Sequence, residues 1–282
     1  MSLERPLTGR FAPSPTGPLH LGSLVAAVGS FLSARAQGGR WLVRMEDLDE
    51  ARAKPGAAET ILRQLAAHGL TWDGGVEFQS RRKLLYEQAL QQLAPWIYPC
   101  YCSRKERDRC RCREPGAVVR PGSFHERFSW KMRGEGEVDD FVVRRSDGYF
   151  AYQLAVVVDD EDQGVTEVVR GADLLDSTPR QNLLQRRLGY RIPRYLHLPL
   201  VCGPDGQKLS KQNRAPALGP DAAANLRAAL RFLGQPESHS PDPEAILAGA
   251  VRRWDPQRIP PLQLTGAEPR AGDERSSPAQ TE

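Results

Sequence analysis

LTGRFAPSPTGPLHLGSLVAAVGSFLSARAQGGRWLVRMEDLD, residues 7–49, is the stretch on which the fold turns. Leu7 to Ala12 reads as a short strand that runs into the Pro- and Gly-rich loop PSPTGP. A helix from about Leu21 to Ala36 follows, stopped by Gly38 and Gly39. Its small residues Ala26, Ala27 and Gly29 would let it lie close against a sheet. RWLVRM, residues 40–45, then predicts a second strand, ending in the polar run Glu46-Asp47-Leu48-Asp49. Strands joined by a crossover helix are parallel and right-handed, so the expected class is α/β with a Rossmann-like parallel sheet. In such sheets ligands bind beyond the carboxyl ends of the strands. Arg10 and Ser14 sit at the end of the first strand and Glu46 at the end of the second. His20 and the free N–H groups of the helix start face the same crevice, where the helix dipole favours phosphate. Alone, PSPTGPLHLG also reads as a rigid turn with a capping histidine.

Working outward, helices are expected from Ala57 to His68 and from Arg82 to Leu93. From Phe141 to Arg170 the pattern is strand-like. LAVVVDD, residues 154–160, is an unbroken apolar run of the kind buried strands show, and DEDQG reads as a turn before VTEVVRG. Asp176, Ser177 or Thr178 can cap a helix with Pro179 in its first turn, running to about Leu188. YLHLPLV reads as a last strand, entering GPDG and then KLSK. Short helices are expected at Asp221 to Leu233 and Pro243 to Trp254, and residues 265–282 have the composition of a disordered tail.

The bulk properties exclude some classes. Of 282 residues, 40% are apolar and 26% charged, which suits a globular chain, and no apolar run approaches the length of a membrane span. The N-terminus lacks a signal-peptide pattern, so the expected location is cytoplasmic, away from membranes. A net charge of +4 permits a nucleic-acid partner without demanding one. Arg81-Arg82-Lys83 and Arg186-Arg187 could meet phosphates or simply form solvated helix faces. Cys100, Cys102, Cys110 and Cys112 fall close together, which in a cytosolic chain suggests a metal rather than disulfides. Four thiolates in C-x-C…C-x-C can close a tetrahedral structural zinc site; the alternative is a degenerate site of reduced thiols. Cys202, in an apolar strand, reads as a small core residue.

KLSK, Lys208 to Lys211, lies in a polar loop after a strand and is common on surfaces by itself. With PSPTGPLHLG it resembles the two ATP-binding motifs of class I aminoacyl-tRNA synthetases. GRFAPSPTGPLHLGSL, RWLVRMEDLD, TWDGG, GVTEVVRGADLLDSTPRQ and KLSK, in this order, resemble the glutamyl branch over roughly residues 5–235. Ser23 closing GPLHLGSL, the string AVVVDDEDQGVTEVVRGADLLDSTPRQ and the short C-terminal part are most similar to its shortened members, which place glutamate on queuosine of tRNA(Asp).

The resemblance implies a catalytic domain over 5–240 with a Cys-rich insert at about 96–122, then a short helical part at 241–264. It implies His20 and Lys211 as catalytic residues, with ATP held by Pro13, Ser14, Gly17, His20, Gly22, Ser23, Lys208 and Lys211. Glutamate would be held by Arg10, Phe11, Ala12, Pro13, Ser14, Glu46, Tyr152 and Arg170. That chemistry is sensible, because arginine forks bind carboxylates bidentately and Glu46 can accept from an ammonium. Taken singly, Tyr152 also reads as core and Arg170 as a sheet-edge ion pair. Mg²⁺ with the ATP, one structural Zn²⁺, L-glutamate, queuosine-bearing tRNA(Asp) and a monomeric chain complete the expectation. The family's first two zinc ligands match Cys100 and Cys102. Where the shortened members usually supply a Tyr four residues before a Cys, this chain has Glu106 and Asp108, a departure that bears on the second pair.

Overall fold

β1 (Thr8–Phe11) and β2 (Arg40–Met45) are parallel, paired from Thr8 with Arg40 to Phe11 with Val43. Between them α1 (Leu21–Ala36) makes the crossover, with the predicted bounds. These strands belong to a computed structural model that describes residues 6–49, 52–102, 106, 110–114, 128–203 and 216–262. α1 lies tight on the sheet because of its small residues. A Cβ added at Gly29 would come within 2.7 Å of a Leu198 methyl.

α2 (Ala57–Ala67) leads to a two-residue strand, β3 (Glu77–Phe78), parallel to β2, and then to α3 (Lys83–Gln92). A small antiparallel sheet follows, ordered β4 (Ile97–Cys100), β5 (Ser129–Met132), β6 (Phe141–Arg144), with the cysteine-rich segment between its first two strands. Next comes α4 (Tyr152–Asp162). This overturns the strand expected for residues 154–160. The run Leu154–Asp160 is buried all round, and a fully buried helix shows no polar face by which to recognise it.

β7 (Glu167–Gly171) and β8 (Arg194–Leu198) are parallel, with Arg170 opposite His197. β7 runs beside β1, where Thr166 N–H donates to the Thr8 carbonyl at 2.9 Å. A 3-10 turn (Ala172–Ser177) and α5 (Thr178–Leu188) join β7 to β8. α6 (Ala222–Phe232) and α7 (Pro243–Arg252) each start on an aspartate cap, Asp221 and Asp242.

Two apolar cores result. One joins α1, β1 and β2 to α6 and α7 through Leu24, Val28, Trp41, Leu226 and Leu247. The other gathers Tyr86, Leu90, Met132, Val156 and Leu184 from α3, β5, α4 and α5. Among the described residues no helix is long and apolar enough to cross a membrane. Arg82 and Arg187, offered above as phosphate contacts, are instead paired within the chain, with Asp159 and Glu135.

Candidate active site

The loop after β1 is tied to the end of β2. Glu46 N–H donates to the Pro13 carbonyl at 3.0 Å, and Lys54 N–H donates to that of Pro15 at 2.9 Å. Gly17 takes φ 148°, a backbone that side-chain-bearing residues rarely adopt. The loop thereby roofs a cavity of about 630 Å³, lined by Phe11, Ala12, Pro13, Ser14, Ser23, Glu46, Tyr152 and Asp173. It lies beyond the carboxyl ends of β1 and β2, as expected for an open α/β sheet.

A second cavity of about 200 Å³ adjoins the start of α1, with His20, Gly22, Ser23, Gly171 and Val201 in its wall. His20 caps that helix, its Nδ1 accepting from Ser23 N–H at 3.2 Å. A ring that accepts at Nδ1 carries its proton on Nε2, which lies 3.0 Å from Ser23 Oγ. Gly22 and Ser23 therefore present the helix N-terminus to this cavity, and Ser23 faces both.

Beneath the larger cavity runs a buried charge network. Asp160 of α4 receives Arg10 Nε at 3.2 Å and Arg44 Nη2 at 2.8 Å. Although burial opposes it, these two guanidiniums hold the Asp160 carboxyl below the usual carboxylate range. Asp159 receives Arg82 Nε at 2.7 Å, Gln79 Nε2 at 2.7 Å and the Tyr86 hydroxyl at 3.0 Å. Glu46 is less well matched: Arg44 is 3.7 Å away, and burial raises the Glu46 carboxyl from 4.5 to about 7 despite Arg44 and Arg10. Burial and Glu46 push the Tyr152 phenol up to about 12, against Arg170 and Arg10, so it remains a donor.

Arg170 is held differently. It is 5% exposed, yet among the described residues none of its hydrogen bonds goes to a carboxylate. Its acceptors are Gln181 Oε1 at 2.7 Å, Thr178 Oγ1 at 2.8 Å, the Leu174 carbonyl at 3.1 Å and His197 Nε2 at 3.3 Å. Tyr195 lies under the guanidinium, 5.0 Å from its ring centroid. An isolated buried cation is costly, and an anion entering the neighbouring cavity would relieve it.

The four clustered cysteines converge. All four sulfurs lie within 4.8 Å of one another, with Cys100–Cys110 and Cys102–Cys112 each at 3.6 Å. That is far beyond a disulfide bond of about 2.0 Å. It matches the ~3.8 Å between sulfurs that a tetrahedral zinc with Zn–S near 2.3 Å requires. The residues present therefore fit a structural zinc.

Of the residues predicted for glutamate, Phe11 to Ser14, Glu46 and Tyr152 line the larger cavity, while Arg10 and Arg170 stand behind its wall. His20, Gly22 and Ser23 come together as expected; Lys208 and Lys211 lie outside the described residues. The described chain on either side of them returns to His20: Val201 shares its cavity, and Ala217 pairs with it in an isolated bridge. Sequence reading missed Asp159, Asp160, Arg44 and the neutral residues around Arg170. The TPRQ string held one signal, since Thr178 and Gln181 fall three apart at a helix start and so share a face.

Comparison with known proteins gives the chain its family and agrees with its fold. Residues 6–131 and 120–219 match the family described as tRNA synthetases class I (E and Q), catalytic domain. A glutamyl-Q tRNA(Asp) synthetase from Pseudomonas aeruginosa strain LESB58 is 50% identical over 277 residues, covering 89% of this chain and 94% of the relative. One from Dechloromonas aromatica is 52% identical over 280 residues, covering 88% and 91%. In fold, the chain resembles a glutamate-tRNA synthetase from Elizabethkingia anophelis, with TM-score 0.73, 23% identity and coverage of 90% of this chain and 67% of the other. The chain belongs to the class I tRNA synthetases of the glutamate and glutamine group, and within them to the glutamyl-Q tRNA(Asp) synthetase family.

Proposed function

We propose that this protein uses ATP to activate L-glutamate and transfers it to the queuosine of tRNA(Asp). The observation that carries the activation step is a mismatch of charge around the larger cavity. Arg170 is a buried cation held by neutral groups, and Glu46 is a buried carboxyl raised to about 7. A zwitterionic amino acid with an acidic side chain complements both, its ammonium at Glu46 and a carboxylate toward the arginines. Arg10, already paired with Asp160, stands behind the cavity wall with its charge largely answered.

The smaller cavity at the α1 N-terminus suits the nucleotide, with His20, Gly22 and Ser23 beside it and Lys208 and Lys211 assigned to the phosphates from their motif. An oxygen of the glutamate α-carboxylate forms the bond to the α-phosphorus as the bond to pyrophosphate breaks. Cationic donors at that charge, including Mg²⁺, lower the barrier, and losing one costs about 10²- to 10³-fold. A queuosine hydroxyl then attacks the acyl carbon and AMP leaves. Cys100, Cys102, Cys110 and Cys112 would hold Zn²⁺, which would brace the insert and supply no chemistry to these steps.

Pyrophosphate exchange into ATP tests the activation step. Glutamate should support it, and glutamine should do so at least about tenfold less well, because a neutral amide leaves Arg170 without an anion. Equal exchange with both amino acids would refute the pocket assignment.

A further inference from the structure

Arg10 and Arg170 are both buried near the ends of strands, and the fold treats them in opposite ways. Arg10 lies against the carboxylate of Asp160, with Nε at 3.2 Å and Nη2 at 3.5 Å. Arg170 meets an amide, a hydroxyl, a carbonyl, an imidazole and a phenol ring. A carboxylate at any of these positions would add an opposite charge and so largely neutralise the guanidinium, which the neutral partners leave uncompensated. The neutral shell therefore leaves the charge of Arg170 free to act on what enters the neighbouring cavity.

Gln181 is the closest of these partners and the most fixed. It is 1% exposed, and its Nε2 donates to Gln153 Oε1 at 3.0 Å, while Gln153 Nε2 donates to Ser177 Oγ at 3.0 Å. This chain orients the amide, so Oε1 faces Arg170 Nη1 at 2.7 Å. Burial and Arg170 hold the His197 imidazole below the usual histidine range, against the opposing effect of Asp173, so His197 accepts from Arg170 without adding charge. The Leu174 segment that accepts from Arg170 also lines the larger cavity, beside Tyr152.

We propose that Gln181 is a specificity-determining residue: by holding Arg170 through an amide rather than a carboxylate, it leaves the guanidinium charge available to an acidic amino acid. Gln181 acts through Arg170 and does not touch the substrate. The inference rests on the glutamate-activation reading above.

The test is steady-state pyrophosphate exchange with glutamate and with glutamine, on wild type, Gln181→Glu, Gln181→Met and Thr178→Asp. Gln181→Glu places a carboxylate against Nη1. Thr178→Asp does so against Nη2, at a first helical position where an acidic residue is favoured. Both should raise KM for glutamate at least about tenfold, lower the glutamate-to-glutamine ratio of kcat/KM and leave KM for ATP within about twofold. Gln181→Met keeps the site neutral and should raise KM for glutamate by clearly less than either carboxylate variant does, although it removes one acceptor from Arg170. Unchanged glutamate KM in the carboxylate variants would overturn the proposal, as would an equal rise in Gln181→Met. Should Gln181→Glu fail to fold, Thr178→Asp decides alone. A wild type without glutamate-dependent exchange would overturn the activation reading and this inference together, whereas failure in the variants alone overturns only the inference.

Discussion

Burial lifts the Glu46 carboxyl to about 7, against the attraction of Arg44 and Arg10, so this residue works against the fold that carries it. A carboxyl with a folded pKa above its ordinary 4.5 binds its proton more tightly in the folded state. Stability is therefore lost as pH rises from 4.5 to about 7, and the deficit is constant above that. Glu46→Gln removes the cost. Urea unfolding at pH ~8 should find this variant roughly 1–3 kcal/mol more stable than wild type, with the difference gone near pH ~4.5. The same substitution should depress glutamate-dependent exchange about 10²-fold, since the substrate ammonium loses its anion. A variant less stable than wild type at the higher pH would contradict the electrostatics described here. At His20 stability and activity separate in another way. Asparagine is also a good N-cap, so His20→Asn should keep α1 within about 0.5 kcal/mol of wild type in the same unfolding experiment. If the ring serves the nucleotide as proposed, its exchange rate should nevertheless fall about 10²-fold. Retained exchange would reduce His20 to a cap.

At the level of elements, α1 and α4 mark how far the sequence could be read. α1 announces itself: a cap at His20, small residues toward the sheet and two glycines at its end bound it to the residue. α4 does not, because Leu154 to Asp160 is buried on every side and the short apolar run Leu154–Val158 looks alike in either conformation. What settles it is tertiary: Asp159 and Asp160 meet Arg10 from β1, Arg44 from β2 and Arg82 just before α3. No local pattern carries that information. The site divides in the same way. The lining residues of the loop and the cysteine pairs were legible from short motifs. The neutral surroundings of Arg170 were not, since they gather from the 3-10 turn, α5 and β8. Breaking the network should be severe. Asp160→Ala leaves Arg10 and Arg44 without their shared carboxylate, and chemical unfolding should register a loss of about 3–5 kcal/mol. A loss below about 1 kcal/mol would mean that the buried pairs hold nothing together. In the small sheet, elemental analysis of protein purified without added metal should find one zinc per chain, and Cys100→Ser should release it. Metal-free protein of unchanged stability would identify the cluster as four reduced thiols.

Across the whole molecule, two cores meet where the chemistry is expected. One carries α1 and the smaller cavity; the other carries α4 and the buried acids under the larger. β7 joins them, with Val169 packed in the first core and Arg170 turned toward α5. The described chain closes this unit with α6 and α7, which pack on α1. The acceptor is the least local part of the account, because it depends on an RNA element reaching the larger cavity from outside. An unstacked anticodon base suits such a crevice, since splayed single-stranded bases are what proteins read specifically in RNA. The most direct measurement is the transfer of labelled glutamate to purified tRNA(Asp) with queuosine, the same tRNA without it, and transcribed tRNA(Glu). The account predicts label only on the queuosine-bearing tRNA(Asp), at the modified nucleotide; efficient labelling of tRNA(Glu) at its 3′ end would contradict it.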